Sequence, residues 1–241
     1  MSGRLPSRIA TAIERLPEEH RWEAASILEA ILAAHPGDEL SVLSGVAGSN
    51  EEPEEHRVAA IWSISRCWRG SVVVETLIRI LGDRSAPPAV RSAAAEGLSQ
   101  TDRTATASLV RAIDAEESSA LREVAITSMG PLGDIAALPA LTALLRNDAE
   151  HVSLRALAAE AIGEIAVFTP EATGQATAIL RQVAGLDNPP ALTFGIARAL
   201  ANIATPEAGS VLRTLLPEIG QSDAELREHI ESVLNEIGES P

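Results

Sequence analysis

The chain has 241 residues, a net charge of −15, 46% hydrophobic residues and only 2% aromatic ones, with no tyrosine. Its nineteen basic side chains are all arginine, and so acidic a balance repels a phosphate backbone, which argues against nucleic acid as the partner. No apolar run is long enough to cross a membrane, and the one cysteine, Cys67, leaves no disulfide framework and no cysteine metal cluster.

In chain order, the first helical signal is Pro17-Glu18-Glu19-His20-Arg21, and the same five residues recur as Pro53-Glu54-Glu55-His56-Arg57. Proline and paired acids suit a first helical turn, where amide N–H groups lack acceptors and the helix dipole favours negative charge. Each motif ends in an arginine, and the same arginine returns at Arg91, Arg122, Arg155 and Arg227, with Thr193 in the one gap. Successive steps are 36, 34, 31, 33, 38 and 34 residues. This is the period of stacked helical hairpins.

With the arginine as position 0, the columns at −1, +3, +7 and +10 form an apolar stripe, for example Leu154, Ala158, Ile162 and Ile165. A partner helix precedes each stripe, at residues 72–81, 105–113, 135–145, 172–183 and 211–219. Turn residues such as Ala86-Pro87-Pro88 and Thr205-Pro206-Glu207 separate the pairs. The expected fold is all-α, a right-handed α-solenoid of about seven antiparallel hairpins in a single domain, 1–241. The long step ending at Thr193, with Gly195 behind it, predicts a looser stack between the fifth and sixth hairpins.

Asp83 with Val90 through Leu98, Leu121-Arg122 through Asp134, and Asp148 with Leu154-Arg155 through Gly163 resemble the HEAT-repeat family, in particular the bacterial repeats of the phycobilisome-lyase type. The resemblance implies a ladder in which Asp83, Asp114, Asp148 and Asp187 bond Arg21, Arg57, Arg91, Arg122, Arg155 and Arg227 between successive repeats. It also implies that the second helices line a concave face. A HEAT-like hydroxylase family binds paired iron through His-Glu dipeptides. His20 and His56 follow Glu-Glu in the opposite order and in two copies, so no metal and no cofactor is expected.

At 100° per residue the face opposite the apolar stripe takes offsets +1, +5, +8 and +12. These include Trp22, Val58, Trp62, Ser65, Arg69, Glu96, Glu123, Glu160, Phe194 and Arg198. Three of the five aromatic residues fall on this face, as binding anchors would. The expected function is a non-enzymatic adaptor, scaffold or immunity-type inhibitor that holds another protein with a basic surface there. A chromophore lyase or chaperone subunit is the alternative. A DNA glycosylase reading rests on Arg57, Arg66 and Arg69 near Trp62 and Trp68, without a matching basic stripe in other repeats. Cys67, at +10, is expected to be a buried thiol. The N-terminus shows no basic-then-apolar leader, so the chain is expected in the cytoplasm.

Overall fold

Proline before a helix start and a polar turn after about a dozen residues break the chain into short helices that cannot bury their apolar stripes alone. The computed structural model describes residues 5–15, 18–35, 37–115, 118–185, 188–219 and 223–239, with only the backbone of residues 19, 20, 114, 115 and 239. Among these residues the fold is all-α. Seven hairpins follow in order: α1 (Ser7–Ile13) with α2 (Glu18–Ala34), α3 (Glu39–Gly48) with α4 (Glu54–Cys67), α5 (Ser71–Gly82) with α6 (Pro88–Leu98), α7 (Thr106–Ala115) with α8 (Ser119–Leu132), α9 (Leu138–Arg146) with α10 (Val152–Phe168), α11 (Thr173–Val183) with α12 (Pro190–Ile203), and α13 (Pro206–Leu215) with α14 (Ala224–Glu239).

The hairpins fall into two compact units, residues 1–124 and 125–241. In the first, α2, α4 and α6 stack in one layer and α3, α5 and α7 in another, while α1 packs on α2 and α4. In the second, α10, α12 and α14 form one layer and α9, α11 and α13 the other. The predicted stripe is the core: Val90, Ala94 and Leu98, Leu154, Ala158, Ile162 and Ile165, and Leu226 and Ile230 are all buried. Facing them are first-helix residues at i, i+3 and i+4 spacing, such as Val73, Val74, Leu77, Ile80 and Leu81.

The repeated arginine makes a recurring bond inside its own hairpin. A helix leaves its last carbonyls without intrahelical donors, and here the following helix covers them. Arg57 Nε donates to Ala47 O at 3.2 Å, Arg91 Nε to Leu81 O at 2.9 Å, Arg122 Nε to Ile113 O at 3.1 Å and Arg155 Nε to Leu145 O at 3.0 Å. Arg227 NH1 instead donates to Ile219 O, in the turn beyond α13, at 3.3 Å. Arg57 is only 3% exposed and Arg155 8%. Arg21 is exposed on α2.

Of the four aspartates expected in the ladder, Asp83 and Asp148 have described side chains. Asp148 bonds Arg155 of its own hairpin at 2.8 Å. Asp83 is held below the ordinary carboxylate value first by the Ser85 hydroxyl and amide, and then by the charge of Arg57 and by Asn50 of the preceding hairpin. The side chain of Asp114 and all of Asp187 lie outside the described residues. At the gap, Thr193 is buried and its hydroxyl has no hydrogen-bond partner among the described residues. The carbonyl at the end of α11 is satisfied differently: Asn188 Nδ2 donates to Val183 O at 2.6 Å and Gly185 N donates to it at 2.7 Å.

The predicted loosening beyond the fifth hairpin is not found. A Cβ on Gly195 would lie 2.8 Å from Ala156 O, and one on Gly163 would lie 2.7 Å from Ala199 Cβ. The glycines let α10 and α12 meet backbone to side chain, so the small residue tightens this step of the stack.

Two substitution sets test this account. Arg57→Ala leaves Ala47 O without a donor inside the stack and is expected to cost about 2–3 kcal/mol in urea unfolding. Arg57→Lys, which has no Nε–H fork, should recover only part of it. Gly163→Ala should cost about 1–3 kcal/mol through overpacking against Ala199, whereas Gly174→Ala, in a helix with nothing within 4 Å of the added methyl, should stabilise by about 0.5–1 kcal/mol.

Candidate functional site

Which side chains the second helices present to solvent depends on how much of each helix its neighbours cover. An inner helix of the layer packs on its hairpin partner and on the second helices before and after it, so the buried arc is wide. In four hairpins the +8 position falls inside that arc, as Ser65, Gly130, Gly163 and Ala201 are buried, while Ser99 is half-buried and Glu29 and Asn235 are exposed. The buried four are small because the next helix comes close, as where a Cβ on Gly97 would meet Ser65 Cβ at 3.0 Å. Ser65 is therefore a packing residue, and the exposed columns are +1, +5, +9 and +12. Even +1 closes at Ala156, against Gly195.

In the first unit Trp22 (+1 on α2) is 81% exposed, while Val58 (+1) and Trp62 (+5) on α4 are half-buried. The Arg66 guanidinium lies 4.5 Å from the Trp62 ring centroid and bonds Glu96 of α6 at 2.9 Å. Glu123 on α8 is half-buried. Arg69 is exposed but occupied, since its NH1 donates to Ser65 O and Trp68 O at 2.9 Å and closes the end of α4. Arg57 is inside the hairpin, and Trp68 lies under Arg8, 4.6 Å from the guanidinium. The arginine and tryptophan group proposed for DNA is thus dispersed among separate tasks.

In the second unit Glu160 (+5 on α10) bonds exposed Arg198 (+5 on α12) at 3.3 Å. Burial pushes the Glu160 carboxyl above its ordinary value against the pull of Arg198. Glu164, one turn on, is raised by burial and then by the Glu160 charge. It lies across Gly130, where an added Cβ would strike its carboxylate. Phe194 is half-buried at +1, and Val167 and Phe168 at the end of α10 are 51% and 59% exposed. The simple offset pattern had no means of marking Phe168, one position past +12.

His20 lies in the described backbone without its side chain. His56 Nδ1 sits 3.5 Å from Glu52, and His35 Nε2 sits 3.9 Å from the same carboxylate. Among the described residues no group of three or more histidine, cysteine or acidic side chains is placed to hold a metal ion, and no helix is long and apolar enough to cross a membrane. Cys67 is half-buried beside α1, its thiol pushed up by burial, and so is not the core residue expected.

The family described as HEAT repeats matches residues 46–130 and 74–163. Residues 46–163 carry HEAT repeats. Among solved structures it is similar to a chain of the complex of CpcE and CpcF of phycocyanin lyase from Nostoc sp. PCC7120, at 20% identity and a TM-score of 0.51, over 67% of this chain and 98% of that one. It also aligns with human deoxyhypusine hydroxylase in complex with glycerol, at 13% identity and a TM-score of 0.35, over 97% and 96% of the two chains. No curated protein sequence matches significantly. At these identities the first likeness speaks to fold, which agrees with the hairpin order above.

The acid pair on α10 yields a pH test. A carboxyl whose folded value is raised binds its proton more tightly folded than unfolded, so it costs stability as pH rises from the ordinary glutamate value of 4.5 through the raised one. Glu164→Gln should therefore melt above the parent at pH 7, with the difference vanishing near pH 4. A gap that instead widens on acidification would reverse the assignment.

Proposed function

We propose that this protein is a non-enzymatic scaffold that holds another protein on the exposed face of its second helices. The observation that carries the reading is Trp22, 81% exposed on α2, with Val58 and Trp62 half-buried at the matching columns of the neighbouring α4. An indole left in water is a large apolar area that only association removes, and such anchors dominate binding energies. Stacked repeats supply a long surface without a single enclosed site, which suits a macromolecular partner.

Charge points to the kind of partner. With a net charge of −15, a basic protein is steered toward the face, and the reading includes inhibitors that cover such a protein. Glu96 and Glu160 already spend part of their charge on Arg66 and Arg198. The chromophore-lyase reading rests on the fold likeness alone.

The test is capture of a partner from cells of the source organism, followed by binding kinetics. Trp22→Ala and Trp62→Ala should each speed dissociation roughly 30-fold, about 2 kcal/mol. Val72→Ala, exposed on the first-helix layer, should leave it unchanged. The association rate should fall as salt rises. If Val72→Ala abolishes binding while both tryptophan variants bind normally, the face is misassigned. An acidic partner, or association indifferent to salt, would overturn the electrostatic part.

A further inference from the structure

The cleft between α1 and α4 gathers positive charge that the sequence scatters. It has a volume of about 340 Å³, and its walls include Ser7, Arg8, Thr11, Arg15, Arg66 and Cys67. Arg8 is stacked over Trp68 at 4.6 Å and bonded to Glu39 at 2.8 Å, and Arg66 is stacked over Trp62 at 4.5 Å and bonded to Glu96 at 2.9 Å. Stacking on an indole fixes each guanidinium, and one carboxylate cannot use all five of its N–H donors. The Arg15 side chain makes no ion pair among the described residues.

Four guanidiniums, those of Arg8, Arg15, Arg66 and Arg69, act on the Cys67 thiol, against the two bonded carboxylates of Glu39 and Glu96. Glu14 is exposed and does not line the cleft. Burial outweighs the arginines and keeps Cys67 a neutral thiol, so no thiolate serves as an internal counter-ion. Arg69 covers the terminal carbonyls of α4, which removes the acceptors that would repel an anion at that helix end. Positive charge in excess of its partners, two wall hydroxyls and room for more than an ion occur together in an otherwise acidic chain.

We infer that this cleft binds a small organic phosphate, its dianion held by Arg8, Arg15 and Arg66 with Ser7 and Thr11 as further donors, and its organic part lying toward Cys67. Three guanidiniums and two hydroxyls offer more donors than the two oxygens of a carboxylate can accept, whereas a phosphate monoester presents three oxygens to them. The cleft is separate from the exposed columns proposed to hold a protein, apart from Arg66, which contributes to both.

The test uses the full chain, with phenyl phosphate as probe and benzoate as its carboxylate counterpart, followed by calorimetry and by the rate of Cys67 alkylation with iodoacetamide. Phenyl phosphate should bind once per chain, more tightly than benzoate, and slow alkylation. Arg15→Gln, which breaks no ion pair among the described residues, should weaken binding by roughly tenfold or more with an unchanged melting temperature. Arg181→Gln on α11 should have no effect. Equal binding by Arg15→Gln, equal affinity for benzoate, absence of saturable binding, or binding of a single-stranded oligonucleotide but not of phenyl phosphate would each overturn the proposal.

Discussion

Four of the hairpins turn on a guanidinium that reaches back to a carbonyl at the end of the helix before it. Burying a charge is costly unless it is hydrogen-bonded, and burying an unpaired carbonyl is costly too. The two problems cancel at Ala47 with Arg57 and at Leu145 with Arg155. Arginine suits the task because it is always charged and carries a donor at Nε as well as at its tip. The tip is left over, and Arg57 and Arg155 use theirs on Asn50 and Asp148 in the turn. One side chain thereby fixes both the helix end and the loop that leaves it.

The same constraint explains the sixth hairpin. With Thr193 at the arginine position, the Val183 carbonyl at the end of α11 takes donors from Asn188 and from the Gly185 amide in the loop. A short amide five residues away does locally what a long side chain does from the next helix. This exchange was hidden in the sequence, because Asn188-Pro189-Pro190 reads first as a turn and a helix start.

The sequence made the period, the hairpins and the core stripe legible because all three follow from one helical repeat distance and from where proline can stand. The exposed face was less legible. A helical wheel gives direction but not the width of the buried arc, and contact with two flanking second helices widens it enough to take in Ser65, Gly163 and Ala201. Trp22 and Trp62 could be placed from offsets alone, but the occupation of Arg66 by Glu96 and of Arg198 by Glu160 could not, since the pairs span 30 and 38 residues. Cys67 was misread because the seven-residue α1 does not cover the end of α4. Arg8 and Arg15 gave no signal beyond two more arginines in a chain that uses no other basic residue.

The close contacts between α10 and α12 bear on how the second unit moves. Ala156 meets Gly195 and Gly163 meets Ala199, two points spaced along both helices that act as a pair of dowels. Sliding one helix past the other by a turn, about 5.4 Å, would drive side chains into the gaps that only glycine leaves open. Shear between these helices is blocked without first prising them apart. Mechanical load applied to this pair is carried as a rigid block, and compliance passes to joints that lack such pins.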